Sequence, residues 1–228
     1  MSKLSSFLVA AFAVLVALSA CSTYMRVASI PVPIASLLKP VVKIKAGPGM
    51  CSASVIQSDD NGTYLLTAAH CVSASKTGIL PEFLDPPKFY VVAYNKLIDT
   101  AIIKIPDGSL RFKTVTLSSR RPVEGDRLTA VGFPMGERKT VTQGFYTARF
   151  HLPKVMPSAT SGKLSNYMWV SVPIFGGNSG GALYDSGGYQ IGIASMMNQQ
   201  YPQTSLWAPV TDALPMIRRV LPDLVIHE

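Results

Sequence analysis

The chain has 228 residues, enough for one large domain or two small ones built around a common cleft. Hydrophobic residues make up 48% and charged residues only 15%, which provides a substantial core and excludes a disordered chain. The formal net charge is +8, yet Arg120-Arg121 and Arg218-Arg219 are isolated pairs without interleaved aromatics. Nucleic acid is therefore not an expected partner, and anionic lipid headgroups are the better candidate.

In chain order, Lys3 precedes the apolar run FLVAAFAVLVALSA, a charged region followed by a hydrophobic one in the manner of a secretory signal. Residues 1–20 are expected as a signal peptide outside the fold. The run is a little short of a bilayer span, so an uncleaved anchor competes with it, and the ending Leu18-Ser19-Ala20-Cys21 decides. It resembles the bacterial lipobox, in which cleavage ahead of a cysteine leaves that thiol carrying diacylglycerol. The resemblance implies lipidation at Cys21, with two acyl chains on the thioether and a third, such as palmitate, on the amine; such anchoring is stable where one chain is marginal. Ser22, in place of Asp, is similar to the sorting signal of outer-membrane lipoproteins in Gram-negative bacteria, which implies the periplasmic side of that membrane. A soluble secreted protein is the alternative. Residues 21–38 contain Pro31 and Pro33 and are expected as an extended, Pro-rich tether. About a dozen such residues reach on the order of 40 Å.

With Cys21 lipidated, Cys51 and Cys71 remain as a pair in an exported protein. A bridge between them would contribute roughly 3 kcal/mol on the chain-entropy estimate; two buried free thiols are the alternative. Zinc-ligand spacing is absent, and neither a metal nor a cofactor is expected.

From Val41 the pattern is one of short strands. VVKIKAG alternates apolar and Lys positions, and CSASVIQ and TYLLTAAH flank a hairpin signal at Asn61-Gly62. KFYVVAYN, TAIIKIP, RFKTVTL, RLTAVGF, KTVTQGFYTARFHL and YMWVSVPI follow, then a hairpin over GALYDSGGYQIGIAS and a strand at SLWAPV. TDALPMIRRVL reads as a helix, capped by Thr211 or Asp212 with Pro215 in its first turn. Many short strands without alternating helices indicate an all-β sandwich or barrel.

Three stretches carry chemistry. His70 sits in TAAHCV, Asp99 opens the apolar run DTAIIKI, and Ser179 lies in FGGNSGGALYD. A carboxylate at the edge of an apolar run is poorly hydrated unless something hydrogen-bonds it, and an imidazole N–H is a suitable partner. Four glycines around one serine let successive N–H groups converge on one point, as an oxyanion requires. Taken singly, each has a plain structural reading: a histidine in a β-protein, a strand-end aspartate in water, a Gly-rich surface loop.

Together, TAAHC, the Asp99 run and GNSGG occur in the order His, Asp, Ser, and from about Lys39 onward the chain resembles the trypsin/chymotrypsin-like serine endopeptidases, in a short-looped bacterial form. The resemblance implies an all-β fold of two six-stranded antiparallel β-barrels with a short C-terminal helix, divided as residues 39–115 and 116–228. It implies polypeptide substrates, with Ser179 as nucleophile, His70 as general base and Asp99 orienting it. It further implies an oxyanion hole from the N–H groups of Gly177 and Ser179, support of Asp99 by the Ser195 hydroxyl, and a Cys51–Cys71 bridge bracing the histidine loop. Many relatives carry an Asp before the nucleophile that pairs with an N-terminus freed by cleavage. Here Asn178 stands there, implying a site that forms without zymogen processing.

Resemblance places Pro173 at the floor of the primary pocket and Met196-Met197 on its wall, a modest apolar pocket without an acidic floor, though the two methionines are equally readable as core. Ala194 stands where glutamate-specific relatives have His. Two rival readings remain. GNSGG also fits the nucleophile elbow of α/β-hydrolases, with Asp212 and His227 following in order, but an elbow requires a helix after the serine. A catalytically silent protease-fold lipoprotein that only binds is the other. The lipid reading predicts that Cys21→Ala moves the protein from the detergent phase to the aqueous phase on phase partition of cell envelopes.

Overall fold

A computed structural model describes residues 32–151 and 166–228. The expected signal peptide, Cys21 and the tether up to residue 31 lie outside the described residues. The first barrel is closed by six strands, β1 (Val41–Ala46), β2 (Gly49–Asp59), β3 (Gly62–Thr67), β4 (Thr77–Ile79), β5 (Lys88–Asn95) and β6 (Thr100–Ile105), in the order β1-β2-β3-β6-β5-β4. The second contains β8 (Arg127–Gly132), β9 (Thr140–His151), β10 (Asn166–Val170), β11 (Ala182–Tyr184), β12 (Gln190–Met197) and β13 (Ser205–Pro209). Their order is β11-β8-β9-β10-β13-β12, and pairing of β11 with β12 closes the ring. The two-barrel, all-β expectation therefore holds. Two short strands, β7 (Leu117–Ser118) and β14 (Ile226–His227), add parallel pairings on the outside of β12.

Why the apolar runs are continuous rather than alternating is visible in the cores. Val55, Leu65 and Ile103 point into the first barrel, together with Ile44 and Phe89. Their neighbours Ile56, Leu66 and Ile102 point the other way, into a second cluster shared with Val131, Tyr167, Tyr184 and Leu206 of the other barrel. Successive strand residues face opposite sides, so a strand buried on both faces reads as an unbroken apolar run. A third cluster, with Leu128, Met168, Leu183 and Trp207, fills the second barrel. Helix α2 (Val210–Val220) lays Val210, Ala213 and Ile217 on the shared cluster.

Several local expectations are corrected. Residues 34–38 of the expected extended tether form a short helix, α1 (Ile34–Leu38), entered from Pro33, whose carbonyl accepts from the Ser36 N–H and hydroxyl. Proline ahead of the helix is compatible with it because its missing N–H would be unpaired there anyway. Leu37 is buried in the shared cluster and its carbonyl accepts the Tyr184 hydroxyl at 3.1 Å, while Val32 and Leu37 pack on Gly188. Burial pushes the Tyr184 phenol well above its usual range, so it stays a donor. Helix α2 begins one residue early, directly after Pro209, with no side-chain cap, and Pro215 falls in its interior rather than its first turn.

The segment RFKTVTL is a strand only at Leu117–Ser118. Val115 and Leu117 are buried as the alternation suggests, but the chain is crossing between barrels, and Val115 N–H to Val55 C=O is its backbone link to the first. The β2–β3 turn centres on Asp60-Asn61, between paired Asp59 and Gly62, one residue before the expected dipeptide. TYLLTAAH ends as a strand at Thr67, and Ala69–Val72 turn into a 3₁₀ helix. Leu37→Ala is expected to destabilise the protein by about 2 kcal/mol, the low end for a buried Leu. It should lower the denaturant midpoint with an unchanged slope.

Candidate active site

The first barrel supplies a histidine and an aspartate from opposite ends of adjoining segments. The 3₁₀ turn after β3 presents His70, and the turn before β6 presents Asp99. Asp99 adopts a left-handed backbone (φ 46°), a conformation that Asp tolerates better than most residues. Its carboxylate is 1% exposed and takes the His70 Nδ1–H at 2.8 Å and the His70 backbone N–H at 3.0 Å. The Ser195 hydroxyl, from β12 of the second barrel, donates to the same carboxylate. A carboxylate can only accept, so Nδ1 carries a proton, and in the neutral ring it is Nε2 that holds the lone pair. The water-facing alternative for Asp99 is excluded.

Ser179 sits on a turn whose carbonyls are all tied. The carbonyl of Gly176 accepts from Met135 N–H at 2.5 Å, that of Gly177 from the Ser52 hydroxyl at 2.8 Å, that of Asn178 from Gly181 N–H at 2.8 Å, and that of Ser179 from Ser52 N–H at 2.8 Å. The N–H groups of Asn178 and Gly180 donate to Phe175 and Ala194 carbonyls at 3.0 and 2.8 Å. Among the described residues, the N–H groups of Gly177 and Ser179 donate to none. Four pinned carbonyls thus hold the turn, and the two N–H groups singled out in the sequence are left unpaired. Two glycines are obligatory here. At Gly177 (φ 92°) a Cβ would stand 2.3 Å from the Phe133 carbonyl, and at Gly180 (φ 81°) 2.1 Å from Thr67 Oγ1 and 2.2 Å from the Ser52 carbonyl.

Cys51 and Cys71 are bridged, joining the start of the Ser52 segment to the His70 turn. Cys71 Sγ is 3.7 Å from the Ser179 carbonyl oxygen, which brings the histidine turn and the serine turn into one corner. A His70 ring nitrogen lies within 4.8 Å of both sulfurs. Sulfurs tied in a disulfide are not thiolates, so this trio has no metal-ligating character.

The pocket residues are less well gathered. Pro173 lines a cavity behind the serine turn with Gly132, Thr142, Ile174, Asn178 and Trp207, and neither Met196 nor Met197 borders it. Met196 is half-buried against the shared cluster, whereas Met197 is half-exposed. The elbow alternative fails on local structure. Ser179 leads into β11 rather than a helix, His227 stacks on Tyr189 with ring centroids 3.8 Å apart, and Asp212 pairs with Arg121.

Two contributors escaped the sequence reading. Ser52 looked like any strand residue next to a cysteine. Met135, left-handed at φ 57° and largely exposed, gives no sequence signal, since such a position ordinarily carries Gly. Beyond it, the Lys139 ammonium donates to the Leu38 carbonyl at 3.0 Å and lies 5.4 Å from the Phe133 ring, with Lys43 Nζ at 5.2 Å from that ring. Burial holds the Lys139 ammonium below its usual range, and Glu82 partly offsets this.

Two barrels meeting at a His–Asp pair and a glycine-fixed serine define the class of the trypsin-like serine peptidases. The model of the trypsin-like peptidase domain matches residues 51–193, and the chain belongs to that family. The Do-like serine protease HtrA of Lactobacillus helveticus is 32% identical over 149 residues, covering 63% of this chain and 35% of that protein. The serine endoprotease DegS of Escherichia coli (strain K12) is 29% identical over 140 residues, covering 60% and 38%. The chain spans little more than a third of the length of these two relatives. Among solved structures, the active form of the Rv3671c protease from M. tuberculosis matches with a TM-score of 0.70 at 17% identity, over 87% of this chain and 90% of that one. The serine endoprotease from Yersinia pestis matches at 0.65 and 22% identity, over 86% and 69%. At these identities the structural likeness is one of fold.

Gly180→Ala is expected to force the serine turn away from Thr67 and Ser52, lowering the melting temperature by several degrees and covalent labelling of Ser179 at least about tenfold. Thermal unfolding and probe labelling of the same preparation check both.

Proposed function

We propose that the chain is a serine endopeptidase that hydrolyses polypeptides through an acyl-enzyme. Ser179 Oγ attacks the peptide carbonyl while His70 Nε2 takes its proton, and the imidazolium later returns that proton to the leaving amine. Asp99, held by the Ser195 hydroxyl and the His70 N–H, fixes the tautomer and stabilises the imidazolium. The oxyanion of the tetrahedral intermediate is received by the N–H groups of Gly177 and Ser179, each such donor being worth about 10²–10³ in rate. Water then repeats the attack on the acyl group, with His70 again the base. The observation that carries this reading is the turn in which each carbonyl from Gly176 to Ser179 is tied while, among the described residues, the Gly177 and Ser179 N–H groups donate to none.

The same turn supports activity without zymogen cleavage. Its carbonyls are held by Ser52, Met135 and Gly181, Asn178 has no charge to pair with a freed amine, and Val32–Leu38 packs toward Tyr184 and Gly188 instead. For specificity, the cavity lined by Pro173, Ile174, Phe175 and Trp207 presents no acidic side chain among its lining residues, in keeping with an apolar rather than a basic residue before the scissile bond. The location follows from the sequence: an exported protein held by lipid on Cys21 at the periplasmic face of the outer membrane. No helix among the described residues is long and apolar enough to cross a membrane.

The test is covalent labelling by a fluorophosphonate probe with Ser179→Ala alongside. Wild type is expected to label at Ser179, and the variant to lose both the label and about 10⁶-fold in turnover, as removal of the nucleophile does in a comparable triad. A folded wild-type chain that does not label would instead make this a binding module on a peptidase scaffold.

A further inference from the structure

Ser52 stands outside the triad and the oxyanion hole, yet it is the residue to which the serine turn is fastened from the opposite barrel. It is completely buried, next to the bridged Cys51 on β2. All of its polar groups are partnered, the hydroxyl twice. Its N–H donates to the Ser179 carbonyl at 2.8 Å, its carbonyl accepts the Thr67 hydroxyl at 2.8 Å, and its own hydroxyl touches the Phe133 N–H at 2.9 Å and the Gly177 carbonyl at 2.8 Å.

The direction of the last two bonds is unambiguous. An amide N–H can only donate and a carbonyl can only accept, so the hydroxyl receives from Phe133 and gives its single proton to Gly177. We infer that Ser52 is a positioning residue of this peptidase: its hydroxyl holds the Gly177–Asn178 peptide and its N–H the Ser179–Gly180 peptide, which adjoin the peptides that carry the Gly177 and Ser179 N–H groups, so that both donors are kept turned toward one oxyanion. The inference rests on the proposed catalytic reading and adds to it a residue that never touches substrate.

Three features make the hydroxyl more than a packing group. First, the two peptides it and its N–H hold lie on either side of the Asn178–Ser179 peptide, which carries the Ser179 N–H, so that peptide cannot pivot while both bonds stand. Second, the turn belongs to the second barrel and Ser52 to the first, so these bonds register the donor pair against the His70 turn, which the Cys51–Cys71 bridge ties to the same segment. Third, among the described residues no other side chain bonds the Gly177 carbonyl, and a Cβ at Gly177 or Gly180 would collide with the Phe133 or Ser52 carbonyl, so backbone and Ser52 are packed without slack. With the hydroxyl removed, the buried Phe133 N–H and the part-buried Gly177 carbonyl both lose their partner. Turning the Gly177–Asn178 peptide to find a new one displaces the oxyanion donors.

The experiment compares wild type, Ser52→Ala and Ser52→Thr, with turnover normalised to sites titrated to completion by the fluorophosphonate. For Ser52→Ala, kcat per labelled site is expected to fall about 10- to 100-fold, with KM within about twofold and the pH dependence of the His70 limb unmoved, since only transition-state donors are displaced. Ser52→Thr, which keeps the hydroxyl, is expected to recover turnover to within about threefold of wild type. A second readout needs no turnover: amide hydrogen exchange over residues 175–182 rises in Ser52→Ala while exchange over β8 and β9 stays as in wild type. The inference is overturned by Ser52→Ala turning over like wild type per labelled site, by KM rising in place of the fall in kcat, by Ser52→Thr being as slow as Ser52→Ala, by unchanged exchange in the turn, or by an Ala variant that does not fold. Absence of labelling in wild type counts against the peptidase reading alone, because the exchange measurement still reports on Ser52.

Discussion

The apolar seam between the barrels is the constraint on which the rest depends. The histidine and aspartate come from the first barrel, and the serine turn and Ser195 from the second, so their relation is only as fixed as the contact between Ile56, Leu66 and Ile102 on one side and Tyr167, Tyr184 and Leu206 on the other. Dispersion and hydrophobic burial set a close-packed seam with little freedom to slide. The polar bonds that cross it, Ser195 to Asp99 and Ser52 to the serine turn, add direction to an interface whose energy is apolar.

A second level of order concerns the backbone. A turn rich in glycine has little conformational preference of its own, and left free it would sample many arrangements. Here the four carbonyls from Gly176 to Ser179 are tied to three elements: the loop after β8, the strand β2 twice, and the turn itself. Because buried polar groups are expensive to leave unpaired, the few conformations that satisfy all four are strongly selected. Preorganisation of this kind is what electrostatic stabilisation of a transition state requires, since donors that must first reorient give back part of what they contribute.

How much of this could be read from the sequence varies with the kind of signal. His70, Asp99 and Ser179 stand in short stretches whose composition already restricts the backbone, and the strands are apolar runs bounded by turn residues, so both were legible. The ties to the turn were not. Ser52 is one of several small polar residues on a strand, and its role exists only because Phe133 and Gly177, 81 and 125 positions away, are folded onto it. Met135 contributes a backbone N–H, which every non-proline residue possesses. The docking of Val32–Leu38 was misread for a related reason: proline density argues for extension locally, while the groove by Tyr184 and Gly188 that captures Leu37 is assembled from distant residues. RFKTVTL shows the reverse error, since alternation predicts buried positions correctly but cannot supply a partner strand.

The placement of the aromatic side chains has an optical consequence. Both tryptophans of the chain, Trp169 on β10 and Trp207 on β13, belong to the second barrel, and Trp207 is buried in its interior. Tryptophan emission therefore watches one half of the molecule and is blind to the core of the other, whose largest buried chromophore is Phe89. Far-ultraviolet dichroism, by contrast, weighs the strands of both halves. Coincidence of the two signals during denaturation is then a direct statement about whether the seam makes the halves melt as one cooperative unit.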